Sequence, residues 1–299
     1  MALIHTDNCP VCGKGDFSEL VSCRDNLVTK EIFTILKCDN CGFGFTQDFP
    51  SEDVIGKYYE ADDYISHSDT HKGIVNTLYH WARKMALRSK ARLIFCNSSL
   101  QTSGQLLDIG AGTGYFLNTM QEKGWVVTGI EKSEPTRSFA KDKFGLNLHD
   151  SEYLFQIPDK SKDVVTMWHV LEHVEKLNQT VEQIHKILND DGIAVIALPN
   201  KNSYDAVHYK ANWAAYDVPR HLWHFSPSDF SMLAEKHGFA VKKMKPMYFD
   251  AFYISMLSEK IRGAALATVV GLIAGGWFSF MSLFSTCRCS SVTYVLRKK

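Results

Sequence analysis

A glycine-rich loop between a predicted strand and a predicted helix is the feature that most constrains how this chain folds. Residues 105–109 (QLLDI) predict a short strand, Gly110, Gly112 and Gly114 follow it, and residues 115–123 resume as a helix. Glycine lets the backbone approach a ligand closely, and the loop opens onto a helix N-terminus. The spacing is neither that of a P-loop nor G-x-G-x-x-G, because Tyr115 occupies the place of the third glycine.

Acidic residues are predicted at the ends of the strands that follow this loop. Residues 125–130 predict a second strand that ends at Glu131, whose carboxylate can accept hydrogen bonds from both hydroxyls of a ribose. Residues 146–149 predict a third strand, which delivers Asp150 to the same edge. Further strands are predicted at 163–168, 193–198, 239–244 and 291–297, with helices between them. This alternation indicates a doubly wound α/β sheet with its ligand at the carboxyl ends of the strands.

Two C-x-x-C-G pairs near the N-terminus predict a metal site. Four thiolates suit tetrahedral Zn²⁺ and leave no coordination position open, so the metal is expected to be structural, with iron as the alternative. The sequence between and after the pairs predicts short strands, and a segment this small has little core of its own. Residues 1–46 are therefore predicted to form a zinc ribbon. The predicted ligands are Cys9, Cys12, Cys38 and Cys41.

The loop, the strand-end acids and the segment DVVTMWHVLEHV (163–174) together resemble the class I S-adenosylmethionine-dependent methyltransferases. The resemblance implies a seven-stranded Rossmann-like methyltransferase sheet over residues 75–299, joined to the ribbon by a linker or lid at 47–74. It also implies a cofactor site in which Glu131 binds the ribose, Asp150 and Ser151 meet the adenine, and Trp168 and His169 lie near the sulfonium. The cofactor-binding residues so implied are Asp108, Gly110, Ala111, Gly112, Gly114, Tyr115, Glu131, Lys132, Asp150, Ser151, Trp168 and His169.

Two segments contain candidate catalytic residues, because methyl transfer needs an aligned acceptor and sometimes a base. The first contains His169 and His173, and the second, 213–225, contains Tyr216 and His221. Related quinone O-methyltransferases have a glutamate at the position of His169 and bind a divalent metal there, so His169 departs from that pattern. In the second segment, Tyr216, Arg220 and His224 are predicted to contact substrate, with Arg220 clamping a phosphate or carboxylate. A purely structural role is the alternative for both segments.

The linker has three tyrosines, Tyr58, Tyr59 and Tyr64, which predict either packing between the two domains or a lid over the cofactor. Near the C-terminus, residues 263–287 carry no charge and predict an apolar helical insertion before the last strand. Gly275-Gly276 in its middle favours a helical hairpin over a single membrane crossing. We expect this insertion to form packed helices, a homodimer contact or a contact with a membrane surface.

The sequence as a whole predicts a cytoplasmic enzyme, either free or associated with a membrane, that methylates carbon or oxygen of a small molecule. The acceptor classes left open are sugar-like, lipid-like and secondary-metabolite compounds, since the double C-x-x-C also resembles certain sugar C-methyltransferases. Basic and acidic residues balance at 33 each, so nothing indicates a nucleic-acid partner. The alternatives are a nicotinamide-dependent oxidoreductase and a non-catalytic scaffold that contains zinc.

Overall fold

The N-terminal segment is a small antiparallel sheet, as the ribbon prediction requires. The structure, a computed structural model, describes residues 3–59, 74–100 and 103–299. In the ribbon, β2 and β3 pair along their length and β4 adds to β3, while β1 pairs with β5. The strands are β1 (Leu3–Ile4), β2 (Phe17–Arg24), β3 (Ile32–Cys38), β4 (Gly44–Thr46) and β5 (Phe49–Pro50).

The central sheet has six strands in the order β11-β12-β9-β8-β6-β7. Strands β6 to β9 are parallel, whereas β12 runs antiparallel to both neighbours and makes the sheet mixed. The remaining strand, β10, pairs with β4 of the ribbon instead. The strands are β6 (Gln105–Ile109), β7 (Val126–Ile130), β8 (Lys162–Trp168), β9 (Leu188–Pro199), β10 (Trp223–His224), β11 (Phe239–Pro246) and β12 (Ser291–Lys298).

The described sheet has six strands instead of the predicted seven, because residues 146–149 do not form a full strand. In the described structure they contribute a single parallel bridge, from His149 to Ile130. The predicted α/β fold is otherwise confirmed, and the central strands are continuous apolar runs, which is typical of a parallel sheet covered on both faces.

The helices begin and end where local sequence signals place them. Ser133 caps α3 and Ser226 caps α6 with a full capping box, and each helix has proline in its first turn. The helices are α1 (Ile74–Asn97), α2 (Tyr115–Gln121), α3 (Glu134–Phe144), α4 (Leu177–Ile187), α5 (Tyr204–Tyr209), α6 (Pro227–Lys236), α7 (Asp250–Ile261) and α8 (Ala267–Ser282).

The ribbon and the central domain share one hydrophobic core. Trp223 of β10 pairs with Phe45 of β4, and its indole stacks on Phe43 with ring centroids 6.2 Å apart. Phe43 also meets Phe225, with centroids 5.3 Å apart. The ribbon is therefore joined to the domain by strand pairing and aromatic packing, and it lies next to the segment that holds His221.

The apolar insertion contains one α-helix, α8, and not the hairpin with a turn at Gly275-Gly276 that the sequence favours. A hairpin does form, but between α8 and the helix α7 that precedes the insertion. The turn lies at residues 262–266 with Gly263 at φ 75°, so α8 pairs with the preceding helix α7. Gly275 lies inside α8, where the helix contacts α7. Glycine is needed at this contact because a Cβ would come within 2.5 Å of the Cα of Phe252. In the described part of the chain, no helix combines the length and the apolar character needed to cross a bilayer.

Candidate functional site

The glycine-rich loop takes the strained backbone path that its composition predicts. Gly110, Gly112 and Gly114 have φ of 70°, 53° and 80°, a region that disfavours residues with a side chain. A Cβ on Gly110 would lie 2.3 Å from Val170, whereas one on Gly112 would meet no atom within 4 Å. Gly110 therefore permits close packing of the loop, while Gly112 faces open space that a bound ligand can use.

Glu131 lies directly against this loop, as its position at the end of β7 predicts. Its Oε2 accepts a hydrogen bond from the backbone N–H of Gly112 at 2.8 Å, and its Oε1 accepts one from Ser133 at 2.9 Å. Ala111 is held to the same strand end, because its N–H donates to the carbonyl of Ile130 at 2.8 Å. The loop and the carboxylate thus form one wall at the carboxyl edge of the sheet.

The other implied cofactor contacts differ in how they are placed. Asp108 is buried beneath the loop, where it accepts a hydrogen bond from Thr166, and burial raises its pKa to about 7. Asp150 caps the short 3₁₀ turn Ser151–Gln156 beside that edge. Tyr115 begins α2 and its hydroxyl accepts a hydrogen bond from Lys143, while Lys132 pairs with Glu52 at 2.8 Å. Asp108 is therefore buried next to the loop and supports it. Asp150, Tyr115 and Lys132 lie around the loop at the protein surface or near it.

Trp168 ends β8 close to the same edge. Its ring meets Phe116 with centroids 5.5 Å apart, and the ammonium of Lys90 lies 4.2 Å from its ring centroid. The residue patterns gave no signal for Lys90, because it sits on the basic face of α1 that resembles an ordinary solvated surface. Burial lowers the pKa of Lys90, and Asp108 and Asp250 act in the opposite direction.

His169 directly follows β8 and lies between two carboxylates. Its backbone is left-handed, with φ 58°, its Nε2 is 3.1 Å from Asp250, and its Nδ1 is 3.5 Å from Glu172. Burial lowers its pKa, but the two carboxylates outweigh burial and raise it to about 10. With this pKa the ring of His169, a predicted catalytic residue, is a cation at neutral pH, a form that cannot accept a proton.

His173 and His221 lie edge to face, with ring centroids 4.5 Å apart. The Nδ1–H of His173 donates to the carbonyl of Arg220 at 3.0 Å, and the Nδ1–H of His221 donates to that of Ala215 at 2.8 Å. In each neutral ring this leaves Nε2 as the acceptor. Burial and the neighbouring His221 lower the pKa of His173 to about 4, so that ring is neutral at pH 7.

Glu172 is the third member of the cluster that His173 and His221 form. It is fully buried, and neither carboxylate oxygen accepts a hydrogen bond from the residues that the structure describes. Glu172, His173 and His221 each offer a ligand atom within 4.8 Å of the others, a set that can hold a divalent cation. Tyr59 borders the cluster, with its hydroxyl 3.2 Å from Nδ1 of His173.

Arg220, which the sequence predicts as a substrate clamp, lies in a buried network of ion pairs. The residue is 1% exposed, and its guanidinium donates to Asp217 at 2.7 Å and to Asp25 of the ribbon at 3.0 Å. It also donates to the carbonyl of Tyr58 at 2.8 Å. Because these contacts join three segments that are far apart in the chain, Arg220 holds the ribbon on the domain.

Tyr216 and His224, which the sequence predicts as substrate contacts, are likewise buried in the described structure. Tyr216 is 6% exposed and packs on Trp213 and His224, and burial raises the pKa of its hydroxyl. His224 is 4% exposed and its Nε2 lies 2.9 Å from the hydroxyl of Thr46. Of the linker tyrosines, Tyr58 is buried and donates to Glu31, as packing predicts, whereas Tyr64 lies outside the described residues.

The four N-terminal cysteines converge as the two C-x-x-C pairs predict. The Sγ atoms of Cys9 and Cys41 are 3.5 Å apart, as are those of Cys12 and Cys38, and all four lie within 4.8 Å of one another. Tetrahedral zinc with Zn–S bonds of about 2.3 Å needs sulfurs about 3.8 Å apart, which this arrangement meets closely. Gly13 and Gly42 have φ of 76° and 82°, so each turn takes the predicted path.

The comparison with known proteins agrees with this geometry. A family model described as a methyltransferase domain matches residues 80–243. A ubiquinone biosynthesis O-methyltransferase of Pelagibacter ubique is 29% identical over 159 residues, which cover 49% of this chain and 65% of that protein. An uncharacterized methyltransferase of Anoxybacillus flavithermus is 27% identical over 158 residues, covering 48% and 74%. The match thus spans about two thirds of the length of these relatives.

A solved structure shares the fold. A phospholethanolamine N-methyltransferase of Haemonchus contortus, in complex with phosphomonomethylethanolamine and S-adenosylhomocysteine, superposes with a TM-score of 0.50 at 16% identity. The superposition covers 71% of this chain and 52% of that one.

Proposed function

The chain belongs to the methyltransferase-domain family, whose members use S-adenosylmethionine, and from that premise we propose that it methylates a hydroxyl group of a small molecule. The observation that carries the cofactor half of this proposal is the hydrogen bond between Gly112 and Glu131. It brings the loop and the ribose-binding acid to one edge, as a nucleoside site requires. The family match also argues against the nicotinamide-dependent oxidoreductase.

The cofactor supplies an electrophilic methyl group, and the residues around it supply position and charge. We propose that Gly110, Gly112 and Gly114 pass along its methionine part, that Glu131 binds its ribose and that Asp150 and Ser151 meet its adenine. Trp168 and His169 then border the sulfonium. Because the His169 cation is matched by the carboxylates of Asp250 and Glu172, the surroundings of the sulfonium are not left with a net positive charge.

The acceptor half of the proposal rests on His173 and His221. A hydroxyl becomes a better nucleophile when a base takes its proton, and a neutral imidazole suits this task near pH 7. His173 is neutral there, and its Nδ1–H is fixed on the carbonyl of Arg220, so Nε2 is the atom that accepts the proton. With a pKa of about 4 His173 is a weaker base than a free imidazole, and the buried carboxylate of Glu172 offsets part of this by stabilising the protonated ring. Oxygen is favoured over carbon because a relative of this chain, from Pelagibacter ubique, is an O-methyltransferase of ubiquinone biosynthesis.

The test is a panel of acceptors that share one skeleton and offer a hydroxyl, an amine or an activated carbon, incubated with methyl-labelled cofactor. We expect label on the hydroxyl compound, and we expect His173→Ala to lower kcat about 100-fold or more while the affinity for S-adenosylhomocysteine is unchanged. Ser231→Ala, at a distant helix surface, is the matched control. Label on the amine or carbon alone, full kcat in His173→Ala, or an absolute need for an added divalent cation would contradict the role of His173 as the base.

We further propose that the four-cysteine cluster holds one structural Zn²⁺. The sulfur separations support tetrahedral coordination, and four thiolates leave no place for a substrate. The metal would hold the ribbon in the shape that presents Phe43 and Phe45 to the domain.

A further inference from the structure

Helix α8 carries a continuous apolar stripe on its outer face. Ile273 is 70% exposed, Trp277 is 59% exposed and Phe284, just after the helix, is 74% exposed. The spacing of three and four residues places all of them on one side of the helix. The members of the stripe are Leu266, Val270, Ile273, Trp277, Phe280 and Phe284.

The opposite face of α8 explains why this stripe points outward. Gly271 and Gly275 lie one turn apart, and a Cβ at either would come within 2.4 to 2.5 Å of the Cα of Met256 or Phe252 in α7. The two helices therefore pack backbone to backbone along the glycines. With its small residues in the helix contact, α8 has its bulky residues on the solvent side, where aromatic rings continue from Trp277 through Phe280 to Phe284 at spacings of 6.0 and 5.5 Å.

The basic residues between residues 247 and 288 outnumber the acidic ones, three to two. The acids are Asp250, which faces His169, and Glu259, which is 5% exposed. The cations are Lys260 and Arg262 at the turn and Arg288 beyond α8. Arg262 pairs with Glu259 at 3.3 Å and its side chain is still 44% exposed, whereas Arg288 lies 4.9 Å from the ring centroid of Tyr204. Helix α8 has no charged residue of its own, so the cations lie at its two ends, and a contiguous exposed apolar patch marks a surface that contacts a membrane or another protein.

We propose that the α7–α8 hairpin docks on an anionic lipid surface, with the apolar stripe of α8 in the boundary between headgroups and acyl chains. The hairpin is too short and too exposed to be a membrane span, but a 16-residue helix lying flat suits the interface. Helix α7 starts at Asp250, which contacts His169, so docking brings the carboxyl edge of the sheet to the lipid surface. An amphiphilic hydroxyl acceptor could then reach the cluster from the bilayer, a step that rests on the proposed function, whereas docking itself does not.

The test is flotation of the full chain with vesicles of phosphatidylcholine alone or mixed with phosphatidylglycerol. We expect the chain to float with the anionic vesicles, less at high salt, and only weakly with the neutral ones. The double variant Ile273→Glu/Trp277→Glu should bind about tenfold or more weakly, because it places two charges in the stripe. Val126→Glu is the matched control, since Val126 is 56% exposed at the start of β7. Strand β7 forms the edge of the sheet opposite to β11, which leads into the hairpin.

Calorimetry with S-adenosylhomocysteine and analytical ultracentrifugation on the same samples make the outcome decisive. Unchanged binding of S-adenosylhomocysteine in the variants, together with loss of flotation in the double variant alone, supports the proposal. It is overturned if the wild-type chain does not float, or if the double variant floats as well as the wild type. It is also overturned if the stripe proves to be a dimer contact, so that the wild type is a dimer that ignores vesicles and the double variant is a monomer. A chain that floats but does not bind S-adenosylhomocysteine would leave docking standing and remove the proposed function.

Discussion

Individual residues of the site take their protonation states from their neighbours. His169 lies between Asp250 and Glu172, and its pKa is raised, whereas His173 lies beside His221 in a buried position, and its pKa is lowered. Two histidines four positions apart therefore differ in charge at neutral pH, because His169 is a cation and His173 is neutral. From this contrast we propose a positioning role for His169 and the role of proton acceptor for His173.

The charge of His169 gives a prediction about pH. A pKa raised from 6.5 to about 10 means that the folded state binds this proton more tightly than the unfolded chain, so its contribution to stability is full below pH 6.5 and is lost as the pH rises towards 10. Replacing Asp250 with Asn should lower the pKa of His169, and NMR titration of the imidazole measures this directly. The free energy of unfolding should also fall less steeply between pH 7 and 9 in the variant, by up to about 1 kcal/mol per pH unit.

Asp190→Asn is the control for that experiment, because Asp190 forms an exposed pair with Lys160 and is far from His169 in the fold. If Asp250→Asn and Asp190→Asn show the same pH dependence as the wild-type chain, the pairing of His169 with Asp250 is not what sets its charge.

At the scale of elements, the ribbon supports the domain through three kinds of contact. Strand β4 pairs with β10, Arg220 bonds Asp25 in a buried pair, and Thr46 donates to the carbonyl of His221 at 2.8 Å. The last contact links the ribbon to the segment that presents His221. Removing one partner of such a buried ion pair is strongly destabilising, because the charge of the other partner is left uncompensated.

Removal of the metal tests this coupling. We expect Cys12→Ser/Cys41→Ser to lose about one equivalent of zinc per chain, to become sensitive to proteolysis within residues 3–46 and to lose acceptor methylation, while binding S-adenosylhomocysteine within about twofold of the wild type. Elemental analysis, limited proteolysis and calorimetry provide the readouts, and Cys96→Ser, an exposed thiol outside the cluster, is the control. A wild-type chain that contains iron or no metal would contradict the zinc proposal.

The sequence predicts contacts between residues that are close along the chain better than contacts between residues that are far apart. The loop, Glu131 and the C-x-x-C turns depend on contacts between near neighbours or between consecutive strands, so their spacing was informative. Arg220 could not be placed in the same way, because its partner Asp25 is 195 residues away and no local pattern links them. Asp250 was missed for the same reason, since it reaches His169 only through the packing of α7.

At the scale of the whole molecule, the fold gathers its functional features at one side. The carboxyl ends of the parallel strands hold the glycine-rich loop, Glu131 and His169, and β11 delivers α7 to the same edge. The α7–α8 hairpin thus contacts the candidate site through Asp250 and His169. The ribbon contacts the same site through Thr46 and the carbonyl of His221. The family model covers residues 80–243, so the ribbon and the helices α7 and α8 lie outside it.

Calorimetric titration with S-adenosylhomocysteine shows whether the glycine-rich loop and Glu131 bind the cofactor. We expect saturable binding with one site per chain in the micromolar range. We also expect Glu131→Ala to weaken binding about 10- to 100-fold, because hydrogen bonds to a charged group contribute about 1.5 to 3 kcal/mol. Glu134→Ala, three positions along the same segment, should bind as the wild type does. Absence of binding up to millimolar concentration, or equal affinity in Glu131→Ala, would contradict this prediction.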